Sequence, residues 1–291
     1  MKIDARIRTK VLIEALPYIQ KFRSAIVVIK LGGSAMEEES VIESILRDIV
    51  LVEAVGINPV VVHGGGKEIT QALNARGIQG KFVQGLRITS AEAVQVVQQV
   101  LDKEINPKIV AKLDSLGSWA RGISGTQVFK VKPQEPLLLP DNTKVDLGYV
   151  GDVVQVKTSL IRSCIDHQTI PVVSPLGSDN LGQTYNINSD IAAMELAVSL
   201  QALKLIYLTD VPGVLLDPND KNSVISTIES SRVDQLINQN IISGGMIPKI
   251  RSAVSAVRKG VGQVQFIDGC YPHSLLLELF TDAGVGTLII P

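Results

Sequence analysis

The sequence predicts an α/β protein built on a mostly parallel sheet with helices on both faces. Short β-branched runs recur along the chain, and most lead through a glycine-rich or polar turn into a segment of helical period. Parallel strand pairs need crossover connections, and the helical segments stand where those crossovers are required.

Taken in order, residues 1–20 predict an amphipathic helix. Ile3, Ile7 and Val11 recur at four-residue spacing with Leu12 and Leu16 beside them, and Pro17 limits the helix. Its apolar stripe either packs on its own domain or pairs with a neighbouring subunit. Residues 25–31 (AIVVIKL) read as a buried strand, 38–55 as a helix, 58–63 (NPVVVH) as a second strand and 67–75 as another helix. Residues 90–116 have helical spacing, with a break expected at Asn106-Pro107 because the residue before proline disfavours the α region. From 126 to 156 short alternating runs separated by turn residues predict antiparallel hairpins. The strand pattern resumes at 170–174 and is followed by a helix at 188–200, a strand at 204–209, a helix at 246–259, and last strands at 263–267 and 286–290. With no clean linker, two lobes sharing one sheet are expected rather than two separate beads.

Composition narrows the function classes. Of 291 residues, 28 are Lys or Arg and 29 are Asp or Glu, a balance that argues against a polyanion binder or an acidic tail. With 45% hydrophobic residues the chain can fill a large core. Its apolar runs fall far short of the roughly 20 residues that a membrane-spanning helix needs, and charges interrupt the first residues where a secretory segment would be apolar. A cytoplasmic protein is expected, with no membrane partner. Cys164 and Cys270 are too few for a disulfide framework or a zinc site and read as reduced packing residues. Aromatic residues make up 4% and Trp119 is the sole tryptophan, so base-stacking platforms, and with them nucleic acid, are not expected.

Three glycine clusters mark strand ends or helix starts: Lys30-Leu31-Gly32-Gly33, His63-Gly64-Gly65-Gly66 and Ser243-Gly244-Gly245. Consecutive glycines let backbone N–H groups converge, and a following helix adds its positive end, so such junctions favour phosphate or carboxylate. One alone is more often a tight turn; three in one α/β chain favour the anion reading. Neither familiar nucleotide fingerprint is present: Gly66-Lys67 is followed by Glu68 rather than Ser or Thr, and no GxGxxG opens a helix. Lys30 is embedded in an apolar strand, and Lys249 lies one turn into a helix. Asn186, Asn188 and Asp190 alternate toward a helix start, where they face one side or cap the helix. Arg87 either clamps a carboxylate or is a surface arginine. His63, with no second histidine at ligand spacing, reads as structural or as a support behind a site residue, rather than as a metal ligand or base. Backbone anion sites with two lysines and one aspartate suit phosphoryl transfer, which depends on positioning and charge neutralisation. A carboxylate acceptor, already ionised at pH 7, needs no general base.

KLGG at 30–33, HGGG at 63–66, GLRIT at 85–89, NINSD at 186–190, LTDVPGVL at 208–215 and GGMIPK at 244–249 together resemble the amino acid kinase family, in order, from about residue 15 to 290. The resemblance implies an open three-layer α/β/α sandwich with β-hairpins. It implies an N-terminal helix for oligomerisation at 1–20, a lobe at 21–180 for the acyl amino acid and for dimerisation, and a lobe at 181–291 for ATP. The implied reaction is ATP-dependent phosphorylation of the side-chain carboxylate of N-acetyl-L-glutamate, giving N-acetyl-L-glutamyl 5-phosphate in arginine biosynthesis. Lys30 and Lys249 would stabilise the transferring group and Asp190 would orient them. Gly65, Gly66, Arg87 and Asn186 would hold the acceptor. Gly32, Gly33 and Gly245 would meet phosphate, and Thr209, Asp210 and Gly213 would border the nucleotide. Mg2+ would be held mainly through the nucleotide phosphates.

The two chain ends are similar to the arginine-inhibited branch, in which N-terminal helices join three dimers into a hexamer. Tyr18, Lys204, Glu278 and Gly284 are the corresponding inhibitor-site candidates, and a PII nitrogen-signalling protein partners some members. Two departures stand out: Lys67 where proline is frequent, and Leu31 where tyrosine is frequent in the arginine-inhibited branch. A sibling kinase with another acceptor and a catalytically silent ligand sensor are the competing readings.

Overall fold

The structure is a computed structural model that describes residues 4–32, 38–139, 142–217, 219–220, 223–282 and 284–291. Among these, a central sheet holds β1 (Ile26–Leu31), β2 (Asn58–His63), β3 (Trp119–Ile123), β4 (Thr169–Val173), β5 (Lys204–Thr209), β6 (Thr227–Glu229), β7 (Gln263–Asp268) and β8 (Thr287–Ile290), in the spatial order β6-β8-β7-β5-β1-β2-β4-β3. Neighbours are parallel throughout except β7 and β8, which run antiparallel.

β1 lies between β2 and β5, with Lys30 opposite Val62 on one side and Tyr207 on the other. A strand covered on both faces needs apolar residues on both, and Val27, Val28 and Ile29 are fully buried. Side chains alternate across the sheet, so each face has its own core. Val28, Val60 and Val62 pack with Ala192 and Ala193 of α7 (Ser189–Leu200) and with Ile250 and Ala253 of α9 (Met246–Arg258). Val27, Ile29 and Val61 pack with Ile45 and Ile49 of α2 (Glu39–Ala54) and with Ile109 and Leu113 of α5 (Asn106–Ser115). The result is three layers, as expected. Lys30, two residues after Val28, shares the α7/α9 face.

The region expected to form hairpins pairs Phe129–Pro133 with Gly151–Val156 antiparallel, and it also takes Leu176–Ser178 alongside in parallel. Two expectations are corrected. α1 (Ala5–Phe22), capped by the Asp4 side chain accepting from the Arg6 N–H, continues through Pro17 instead of ending there. Proline deprives the carbonyl one turn back of its donor, and here that carbonyl belongs to Ile13, on the solvent-exposed part of the helix. The break at Asn106-Pro107 is absent as well: α4 (Ala91–Gln99) passes through a π-helical turn, Val100–Ile105, directly into α5. Asn106 keeps helical angles (φ −56°, ψ −49°) because the wider turn before it takes up the proline without ending the helix. α1 leaves Ile7, Val11, Leu12, Ile13 and Leu16 exposed, so its stripe is not packed on its own chain. No helix among the described residues is long and apolar enough to cross a membrane.

Candidate active site

The C-terminal ends of β1 and β2, the start of α7 and the start of α9 converge on one carboxylate. Asp190 Oδ1 is 2.8 Å from Lys30 Nζ, and Oδ2 accepts a hydrogen bond from Lys249 Nζ at 2.7 Å. Burial pushes the Asp190 carboxyl up, but the two ammonium groups overturn that and hold it at about 2. Burial lowers the Lys30 ammonium, against the pull of Asp190. The capping alternative for Asp190 is excluded by its neighbour: Asn188 is the cap, its Oδ1 accepting from the N–H groups of Asp190 and Ile191. Tyr207, fully buried and stacked on Phe266, donates its hydroxyl to the Asp190 carbonyl at 3.2 Å. Gly32 gives Lys30 room, since a Cβ there would collide with the Lys30 ammonium. Gly33 lies outside the described residues.

On one side of this triad is a small cavity of about 140 Å³, lined among others by Gly64, Gly65, Gly66, Arg87, Asn186 and Ser189. α3 (Gly66–Asn74) begins at this cavity, so its first N–H groups open there. A Cβ on Gly65 would lie 2.5 Å from Ile105 Cδ1 and 2.9 Å from Leu101 Cδ2, so only glycine fits against the π-helical turn. Arg87 sits on a short hairpin, Lys81–Val83 with Leu86–Ile88, whose turn residues Gln84 and Gly85 both have positive φ. It is 6% exposed and stacks on Phe82 at 4.4 Å, and its Nη2 donates to the Gly66 carbonyl at 3.0 Å and to Thr70 Oγ1 at 2.8 Å. Its Nη1 is buried with no hydrogen-bond partner among the described residues. A buried guanidinium in the wall of a cavity fits a carboxylate; the surface-arginine alternative is excluded.

On the other side is a larger cleft of about 900 Å³, lined by Asp190, Lys249, Gly244, Gly245, Asn188 and Arg251, among others. Gly245 is among the residues that line this cleft. Thr209, Asp210 and Gly213 do not line either cavity. Thr209 Oγ1 donates to the Val211 carbonyl, and Gly213, at φ +147°, packs where a Cβ would lie 2.6 Å from Thr287 Oγ1. Asp210 reaches the site through its charge, which supports the Lys30 ammonium.

The four inhibitor-site candidates come together at the sheet's far end. Lys204 and Glu278 form a buried ion pair, and Glu278 Oε2 also accepts from the Val285 N–H at 2.9 Å. Gly284, at φ +51°, packs against the same oxygen, and the Tyr18 hydroxyl hydrogen-bonds Asp282. The sequence reading missed Gln265 beside them. It is 3% exposed, its Nε2 donates to the Val285 carbonyl, and its Oε1 has no partner among the described residues. It also missed Thr70, Phe82, Tyr207 and Asn106, of which Asn106 alone left a signal, as a polar residue before proline inside an apolar helical pattern. His63 is fully buried, with Nδ1 on the Gly64 carbonyl and Nε2 facing Asn106.

The chain is similar to known proteins in sequence and in fold. The sequence profile of the amino acid kinase family matches residues 25–268. An acetylglutamate kinase from Carboxydothermus hydrogenoformans is 49% identical over 288 residues, covering 98% of each chain. The N-acetylglutamate synthase of Neisseria gonorrhoeae, solved with coenzyme A and N-acetyl-glutamate, superposes with a TM-score of 0.84 at 29% identity over 97% of this chain; this chain spans 63% of the synthase's length. The same synthase has been solved with coenzyme A and L-arginine, with a TM-score of 0.80 at 28% identity over 97% of this chain and 65% of that one. Carbamate kinase from Giardia lamblia bound to AMP-PNP shares the fold, with a TM-score of 0.67 at 18% identity, over 92% of this chain and 98% of that one.

Proposed function

The chain belongs to the amino acid kinase family, and from that premise we propose that it transfers the γ-phosphoryl group of ATP to the side-chain carboxylate of N-acetyl-L-glutamate. The observation that carries this reading is the Lys30–Asp190–Lys249 cluster, two of whose members line a cleft at a glycine-marked helix start, next to a smaller cavity walled by the buried Arg87. In the small cavity, Arg87 and Asn186 hold the acceptor's carboxylate while the Gly65 and Gly66 N–H groups face the reacting end. In the cleft, Gly245 and the start of α9 meet the phosphates of the nucleotide. Residues 21–180 then serve chiefly the acyl amino acid and 181–291 the nucleotide.

The acceptor carboxylate is ionised at neutral pH, so the chain has no proton to remove. A carboxylate oxygen bonds to the γ-phosphorus as the bond from that phosphorus to the β–γ bridging oxygen breaks, and ADP leaves. Lys30 and Lys249 neutralise the charge that spreads over the transferring oxygens, and Asp190 fixes both ammonium groups before the substrates arrive. Each Asp190 oxygen lies against a lysine ammonium, so the carboxylate is not free to ligate a metal, and magnesium would be held through the nucleotide phosphates. When bound, the metal supplies further neutralisation at the β- and γ-phosphates.

Arginine is the proposed inhibitor. The cluster of Tyr18, Lys204, Glu278 and Gly284, placed where α1 meets the C-terminal segment, supports this, and the arginine complex of the synthase adds to it. The exposed stripe of α1 supports assembly of several copies through that helix. Acyl-phosphate formation, trapped with hydroxylamine, tests the whole reading. Turnover is expected with N-acetylglutamate, ATP and magnesium and not with glutamate, aspartate or a nucleoside monophosphate, and it is expected to fall when arginine is added. Preference for another acceptor would remove the assignment of Arg87 and Asn186.

A further inference from the structure

We propose that His63 and Asn106 act as a positioning pair that aims the Gly65 N–H into the acceptor cavity, an inference that rests on the kinase reading above. Asn106 Nδ2 lies 2.9 Å from the Val172 carbonyl, which can only accept, so that atom of the side chain must be the amide nitrogen. The same nitrogen lies 3.2 Å from His63 Nε2 and has its second proton for it, so Nε2 is the acceptor. The ring's proton is then on Nδ1, which donates to the Gly64 carbonyl at 2.8 Å. Each link leaves one assignment for the next.

Ring charge supports the same tautomer. Burial drives the imidazole down to about 4, against the hydrogen bond to Gly64 and the charge of Asp102, so it is neutral at physiological pH.

Peptide planarity carries the effect to the cavity. In a trans peptide the N–H points opposite the carbonyl, so tying back the Gly64 carbonyl turns the Gly65 N–H the other way. Gly65 lines the acceptor cavity. The other end of the same loop is held by the Gly64 N–H, which donates to the Leu31 carbonyl at 2.8 Å. The pair is itself anchored to the sheet, because Val172 of β4 pairs with Val61 of β2. Space for the amide is kept by Gly122 of β3, where a Cβ would collide with Asn106 Oδ1. The π-helical turn ahead of Asn106 delivers the amide to this spot from a helix that also packs against Gly65 through Ile105.

The test compares His63→Asn, His63→Gln and Asn106→Ser in the full-length protein by steady-state kinetics, with thermal melting alongside. An asparagine amide nitrogen can stand near the position of Nδ1, whereas glutamine reaches only toward Nε2. His63→Gln and Asn106→Ser are expected to lower kcat/KM for N-acetylglutamate by about tenfold, the effect of one misdirected hydrogen bond, with KM for ATP within about twofold of wild type. His63→Asn is expected to recover most of that loss. Equal losses in the Asn and Gln variants, or a parallel rise in KM for ATP, would overturn the proposal, as would unchanged acceptor kinetics in a folded Asn106→Ser protein. If a histidine variant fails to fold, Asn106→Ser decides alone. A wild-type protein that phosphorylates a different acceptor would fail the functional reading only, and the same ratios are then read with that acceptor.

Discussion

Asn188 accepts the backbone N–H of Asp190 at 2.8 Å, so the residue that caps α7 also sets the direction of the carboxylate two positions on. Asn188→Ala is expected to remove the cap at a cost of about 1 kcal/mol and to lower kcat by more than that loss of stability explains. Urea unfolding and steady-state kinetics on the same preparation check it. A stability loss with kcat unchanged would show that Asp190 is held by its lysines alone.

The two lysines differ in setting. Lys30 is buried on a central strand, whereas Lys249 is 30% exposed on the first turn of α9. Lys30→Met and Lys249→Met are each expected to lower kcat by on the order of a hundredfold or more, since each removes a charge aimed at the transferring group. Only the Lys30 variant is expected to unfold at markedly lower temperature. Turnover within tenfold of wild type in either variant would remove that lysine from the chemistry.

Arg87→Lys keeps the charge but loses the fork. An ammonium group cannot occupy the Gly66 carbonyl, Thr70 and the spare Nη1 direction at once, nor stack on Phe82. KM for N-acetylglutamate is expected to rise by at least about tenfold with KM for ATP unchanged, as read from initial rates. Equal changes in both would place Arg87 outside the acceptor cavity.

Asp190 also ties stability to acid. Its folded pKa is depressed from 3.8 to about 2, so its ionisation stabilises the fold above the unfolded value, and that contribution disappears as pH falls through the folded one. The contribution amounts to about 2 kcal/mol. The stability gap between wild type and Asp190→Asn is therefore expected to narrow between pH 4 and pH 2. Denaturant unfolding across that window checks it, and a constant gap would contradict the depressed pKa.

Tyr18 is the contact of α1 with the inhibitor cluster, through Asp282. Tyr18→Phe is expected to raise the arginine concentration needed for half-inhibition several-fold, on the order of one lost hydrogen bond. The readout is a titration of turnover with arginine. If wild type is indifferent to arginine, the cluster has another purpose.

Residues with a strong local signature were readable in sequence. AIVVIKL and NPVVVH became central strands because a strand buried on both faces must be apolar throughout, and Lys30 drew notice by violating that rule. Asp190 and Lys249 were readable as types and spacing, but their meeting with Lys30 depends on α7 and α9 packing on one face of the sheet. What stayed hidden depends on space or on partners. WARGI at 119–123 carries a polar, glycine-containing pattern because β3 is an edge strand, so it lacks the apolar run of its neighbours. Pro107 pointed to a break, since local propensity knows nothing of a π-helical turn that absorbs it. Gln265 and Asn106 are polar residues in apolar surroundings whose purpose is visible only with the atoms they face.

β1 borders β2, its near neighbour in sequence, and β5, which is synthesised long afterwards. While the chain is being made, one edge of β1 therefore stays unpaired until β5 emerges, with its hydrogen-bonding groups open to any passing strand. The same pairing sets Lys30 beside Tyr207, so this buried lysine has no finished environment until the later half of the chain arrives. Closing so distant a contact is slow. Three more strands and α9 with Lys249 follow later still, so a nascent chain stalled before β5 has neither a closed sheet nor the Lys30–Asp190–Lys249 cluster, and is exposed to aggregation.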